Sequence, residues 1–146
     1  MVKKNITRIE YSVYILISIV LIISTLSCNS IAQTTVEDAN VITVETAFGL
    51  IQDNRDNPNF MIIDVRTESE FILGHIEDAI NIDYYAEDFK QTIQQLDRNK
   101  TYIVYCRCGG RGGKTLDIMK EQGFKEVYNI KDGFLDWQFE KLPYVE

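Results

Sequence analysis

At 146 residues and a net charge of −7, the chain has room for one domain and whatever precedes it. Residues 1–32 read as a targeting segment; without their three basic residues and one acidic residue, 12 basic face 21 acidic side chains, a net charge of −9. An acidic domain with no basic stripe is a poor candidate for nucleic acid or anionic lipid. Only Cys106 and Cys108 follow residue 32, and one C-x-C pair excludes a disulfide framework.

Lys3, Lys4 and Arg8 form a positive n-region, Val13 to Leu26 is an uncharged run rich in Ile, Leu and Val, and Ser30-Ile31-Ala32 supplies a small-x-small cleavage site. The run is short for a membrane span, which needs about 20 apolar residues. Cleavage after Ala32 is the first reading. Thr25-Leu26-Ser27-Cys28 also resembles a bacterial lipobox, although threonine stands where an aliphatic residue is usual. The third reading is an uncleaved anchor. All three place the domain outside the cytoplasm, periplasmic or anchored as a lipoprotein facing the periplasm, with a membrane tether only through the N-terminus.

Residues 33–40 are polar and unpatterned, a short tether, and the domain runs over 41–146. Val41-Ile42 suits a brief strand, and Thr43 an N-cap for a helix with Val44, Ala47, Phe48 and Ile51 on one face. Asp53 to Asn59 is a turn-rich loop. Phe60 to Val65 is a continuous apolar run broken only by Asp64, as expected of a strand buried on both faces. Thr67 and Glu70 have capping-box spacing ahead of a short helix holding Phe71 and Ile72, ended by Gly74. Ala79 to Ile82 is the next strand, and Asp88 to Leu96 a helix with Phe89, Ile93 and Leu96 at core spacing. Thr101 to Tyr105 is a strand, Gly113 to Gln122 a helix stopped by Gly123, Val127 to Ile130 the last strand, and Phe134 to Trp137 a terminal helix. Alternating strands and helices predict an α/β domain with a mainly parallel central sheet flanked by helices.

The chemistry concentrates where Tyr105 ends. Cys106-Arg107-Cys108-Gly109-Gly110-Arg111 carries a thiol into a glycine loop ahead of a helix. In parallel sheets ligands bind beyond the carboxyl ends of strands. The loop's N–H groups, including those of Gly109 and Gly110, and the helix dipole favour thiolate over thiol at Cys106. Arg107 and Arg111 add charge to hold a small anion. His75, the single histidine, reads as a structural hydrogen-bonding residue. Asp64 and Arg66 read as an ion pair or clamp that supports the loops. Cys106, Cys108 and His75 give too few ligands for a metal site, and none is expected.

Ile63-Asp-Val-Arg66, Glu70-Phe, Gly74-His-Ile76, Ala79-Ile-Asn-Ile82, Val104-Tyr-Cys-Arg107 and Gly133-Phe-Leu-Asp-Trp137 occur in that order. With them the chain resembles the rhodanese-like single-domain sulfurtransferases from about Val41 to Pro143. The resemblance implies a cofactor-free exchange: Cys106 takes sulfur from thiosulfate or a related anionic donor as a persulfide, then passes it to an unknown thiol or protein acceptor. It also allows a non-enzymatic binding or persulfide-carrier module. Cys108 and Gly112 depart from a pattern that often has serine. A second thiol at Cys108 makes a strained, reducible Cys106–Cys108 disulfide a redox option.

Two rival loops fail. Arg111-Gly-Gly-Lys114-Thr115 approaches the phosphate loop GxxxxGK[ST], but residue 108 is cysteine where its first glycine belongs. Cysteine phosphatases separate Cys and Arg by one residue more than the four found here, and the smaller ring suits a sulfur group better than a phosphate.

Overall fold

The computed structural model describes residues 38–146. The expected targeting segment, cleavage site and lipidated Cys28 lie outside the described residues. Within them, Asp38 to Asn40 is already tied to the domain. Its turn closes with Val41 N–H donating to the Asp38 carbonyl at 2.7 Å, and Lys120 pairs with the Asp38 carboxylate at 2.6 Å.

Five strands, β1 (Val41–Ile42), β2 (Phe60–Asp64), β3 (Ala79–Asn81), β4 (Thr101–Tyr105) and β5 (Glu126–Ile130), form one sheet in the order β1-β5-β4-β2-β3. Every pairing is parallel. The helices are α1 (Val44–Asp53), α2 (Glu68–Ile72), α3 (Phe89–Gln95), α4 (Gly110–Glu121) and α5 (Gly133–Phe139).

Strand alternation sends successive side chains to opposite faces. Ile63, Tyr102, Val104 and Val127 pack with Phe89 and Ile93 of α3 and Leu116 and Met119 of α4. Ile62, Ile103, Tyr105 and Ile130 pack with Val44, Ala47 and Ile51 of α1 and Phe134 and Trp137 of α5. The apolar runs of β2 and β4 therefore reflect a sheet covered on both sides, as parallel sheets require. The central strand is β4, and Cys106 follows its last residue.

Two expected helix bounds are corrected. The helix expected from Gly113 begins at Gly110, because Gly109 at φ 84° turns the chain directly into the first turn. Glycine's low helix propensity hid that turn from the residue pattern. α2 holds Phe71 and Ile72 as expected; Phe71 stacks on His75, while Ile72 is 64% exposed. Leu96 caps α3 from outside and is only partly buried. The Thr67–Glu70 capping box forms as expected, with both reciprocal bonds present.

Candidate active site

Cys106 is 1% exposed, between the end of β4 and the start of α4. By position, the first N–H groups of α4, those of Gly110, Arg111 and Gly112, have no acceptor within the helix. They supply partial positive charge beside the thiol. The loop carbonyls are drawn the other way, into the N-terminus of α5: Phe134 N–H donates to the Cys106 carbonyl at 2.8 Å and Leu135 N–H to the Arg107 carbonyl at 3.0 Å. A loop whose carbonyls are held by one helix and whose N–H groups open another helix is built to face an anion.

Two glycines are dictated by space. A side chain at Gly109 would run into the Lys131 carbonyl, and one at Gly112 into Asn129 Oδ1. Asn129 is 3% exposed and its Oδ1 has no hydrogen-bond partner among the described residues, while its Nδ2 lies 3.5 Å from the Gly109 carbonyl. Gly112 thus leaves the space that Asn129 Oδ1 occupies. Gly110 is exposed at the loop mouth.

The arginines have separate situations. Arg66 and Asp64 form a buried ion pair: Nη2 donates to Oδ2 at 2.6 Å, Nε to the same carboxylate at 2.9 Å, and the Arg66 N–H to Oδ1 at 2.9 Å. Arg66 Nη2 also donates to the Gly74 carbonyl at 2.6 Å, and its guanidinium lies 4.2 Å over the Phe134 ring. Burial works against its charge, but the Asp64 hydrogen bonds and carboxylate raise its pKa above the ordinary arginine value. Burial first, and then the Asp64 charge, likewise raise the neighbouring Tyr105 phenol. The Tyr105 hydroxyl accepts the Ile76 N–H at 3.1 Å. The pair with Tyr105 fixes the segments after β2 against β4 and α5.

Arg111, in the first turn of α4, makes a bidentate fork with Glu70 of α2 at 2.8 and 2.9 Å and lies 5.6 Å over the Tyr85 ring. Its guanidinium pKa is raised chiefly by the Glu70 hydrogen bonds, with the Glu70 charge adding to them against the cost of burial. The Arg111 bonds hold the Glu70 carboxyl down at about 2. Arg111 therefore belongs to a charge-compensated clamp beside the cysteine, not to an open cation. Arg107 is exposed and, among the described residues, forms no ion pair. It lines an open cleft with Arg66, Glu70, Leu73, Phe134, Leu135 and Gln138.

Cys108 is exposed, and both cysteines are free thiols. His75 stands apart from the cysteine loop in its contacts. Its ring stacks on Phe71 at 3.7 Å, Nδ1 bonds the Phe71 carbonyl at 3.0 Å, and its backbone pairs with Val145. Among the described residues no group of His, Cys, Asp and Glu side chains is arranged to hold a metal ion.

The sequence reading missed two site residues. Glu70 was visible as a capping-box acid, but its fork with Arg111 joins positions 41 residues apart. Asn129, at the end of a strand, had no local signal beyond being a polar residue in an apolar run.

The Rhodanese-like domain family matches residues 49–140. A rhodanese-related protein from Thermoplasma volcanium is 26% identical, with a TM-score of 0.56 over 65% of this chain and 90% of that one. A Staphylococcus saprophyticus protein is also 26% identical, with a TM-score of 0.61 over 73% of this chain and 99% of that one. The tRNA uridine(34) hydroxylase of Legionella pneumophila is 37% identical over 93 residues, 60% of this chain and 35% of the hydroxylase. That of Pectobacterium carotovorum is 31% identical over 86 residues, 56% of this chain and 24% of the hydroxylase. The chain thus spans between about a quarter and about a third of the length of these curated relatives.

Proposed function

The chain belongs to the rhodanese-like domain family, and from that premise we propose that it is a sulfurtransferase whose sulfur carrier is Cys106. The observation that carries this reading is the cysteine's position, at the end of the central strand and the start of α4, inside a loop whose carbonyls are bonded away to α5. The Cys106 thiolate attacks the terminal sulfur of an anionic donor. With thiosulfate, the S–S bond of the donor breaks, sulfite leaves with its electron pair, and Cys106 is left as the persulfide anion. An acceptor thiolate then attacks the outer sulfur, forms a new persulfide and returns Cys106 as thiolate.

The first-turn N–H groups of α4 and the nearby charge of Arg111 stabilise negative sulfur in both states. No general base is needed once the thiolate exists. Burial of Cys106 favours a reaction in which a single terminal atom enters the loop. Arg107, exposed at the cleft, attracts the donor anion, and the Glu70–Arg111 clamp keeps the first turn of α4 in place.

The hydroxylation named for the longer relatives is not carried over to this chain, which has an acidic balance and matches only part of them. The residues 1–32 signal supports action outside the cytoplasm, which N-terminal sequencing of the mature protein tests: Gln33 or a lipidated Cys28 is expected, and an intact Met1 would refute it.

The decisive measurement is mass spectrometry of the intact protein after donor treatment. One sulfur atom added at Cys106 is expected, with no adduct there and no turnover in Cys106→Ser. A wild-type thiol that stays unmodified with every donor would leave a non-enzymatic binding module in place of the enzyme.

A further inference from the structure

A second cavity opens at the end of the sheet opposite Cys106. It encloses about 110 Å³ between Phe48 and Ile51 of α1, Phe60 at the start of β2, Ile76 ahead of β3, and Trp137 of α5. Because every strand pairing is parallel, Phe60 and the chain entering β3 lie at one end of the sheet and Cys106 at the other.

Size and walls specify the body of a guest. An apolar cavity of about 150 Å³ takes up benzene, so about 110 Å³ behind an open mouth suits one six-membered ring and no second. The Phe48 and Trp137 rings meet edge to face with centroids 5.9 Å apart, and such rings favour a further ring in offset or edge contact.

The mouth specifies the charge. Its charged residues are Arg55, just after α1, and the adjacent Glu77 and Asp78, just before β3. All three are exposed, and none forms an ion pair among the described residues. Two carboxylates against one guanidinium leave a net negative mouth. The end of α1 adds to it, because no basic side chain in its last turn offsets the partial negative charge of its terminal carbonyls. The net charge of −7 on the chain attracts the same sign of ligand from a distance.

We propose that this cavity binds a small arylalkylamine, a single aromatic ring carrying a primary ammonium on a short chain. The ring lies among Phe48, Phe60 and Trp137, and the ammonium meets Glu77 and Asp78 at the mouth. The site is separate from Cys106, and its occupation does not depend on sulfur transfer.

Trp137 is the single tryptophan of the chain and is 1% exposed, so its fluorescence reports the cavity directly. The test titrates phenethylamine, its neutral analogue phenethyl alcohol, the anionic hydrocinnamate and the ring-free butylamine into the protein, followed by fluorescence and by calorimetry. Phenethylamine should bind about fivefold or more tighter than hydrocinnamate, the scale of surface charge contacts, with the alcohol between them. Butylamine should give no saturable change. Glu77→Gln combined with Asp78→Asn removes both carboxylates at exposed positions, and asparagine suits the positive φ of 63° at Asp78, so the fold is kept. The ratio of amine to carboxylate affinity should then fall about fivefold or more, because Arg55 is the charged side chain left at the mouth. No saturable binding of any phenyl compound would overturn the proposal. So would an amine-to-carboxylate ratio that is the same in wild type and variant, or butylamine binding as tightly as phenethylamine.

Discussion

Two arginine–carboxylate pairs flank the cysteine loop, and they are built differently. Asp64 and Arg66 are two residues apart, almost wholly buried, and bonded through backbone as well as side chain. Glu70 and Arg111 come from α2 and α4, and their side chains are 29% and 17% exposed. The buried pair has aromatic neighbours and joins the sheet to the segments around it. The partly buried pair touches the helix turn that faces the thiol. The first is placed to hold the fold, and the second to hold the site. Substitution should therefore separate stability from activity across the two.

The largest effect is expected at the buried pair. Asp64→Ala leaves the Arg66 guanidinium without a counter-charge in the core, and breaking a buried pair from one side costs about 3–5 kcal/mol. Denaturant unfolding should show that loss. Replacing both, as Asp64→Leu with Arg66→Met, should be less costly than Asp64→Ala, because no charge is left unpaired. A double variant as unstable as the single one would mean that the hydrogen bonds to the Arg66 backbone and the Gly74 carbonyl matter more than the charges.

The contrast also explains what the residue pattern could show. Asp64 and Arg66 are neighbours in sequence, so their pairing was readable before any fold was known. The same holds for the Thr67–Glu70 capping box and for the thiol at a strand end, because each depends on spacings of a few residues. The strand and helix order followed from hydrophobic runs for the same reason. Contacts that depend on chain crossings were hidden. Glu70 meets Arg111, and Asn129 fills the space over Gly112, only because β2, β4 and β5 lie side by side. Arg111 consequently looked like an open anion ligand, whereas its fork is occupied. The early start of α4 was hidden by its glycines, which form helix poorly alone and are required here by the Lys131 carbonyl and Asn129.

A smaller stability effect and a larger activity effect are expected at the partly buried pair. Glu70→Gln keeps the size of the side chain but removes its charge, so it should cost about 1–2 kcal/mol, reduced by solvent screening. The kcat/KM for sulfur transfer should fall about tenfold or more, because the Arg111 turn loses its anchor beside Cys106. Stability and activity losses in the opposite proportion would assign the pair to the fold alone, and the distinction between the two pairs would disappear.

The smallest expected effect is a pH dependence that belongs to Glu70. Its carboxyl is held at about 2 in the folded protein, chiefly by the Arg111 hydrogen bonds, against about 4.3 in an unfolded chain. A depressed folded pKa means that the unfolded state binds the proton first as pH falls. The stabilisation is therefore complete above pH about 4.3 and is lost progressively as pH falls toward about 2. Glu70→Gln has no carboxyl to protonate at this position. The stability gap between wild type and Glu70→Gln should be full at pH 5 and should narrow steadily toward pH 2. Denaturant titrations of both proteins across that range measure the gap directly, with every other acid group common to the two. A gap that stays constant over the range would show that the Glu70–Arg111 fork stabilises through shape and hydrogen bonds that a neutral amide supplies equally, and that its charge contributes nothing.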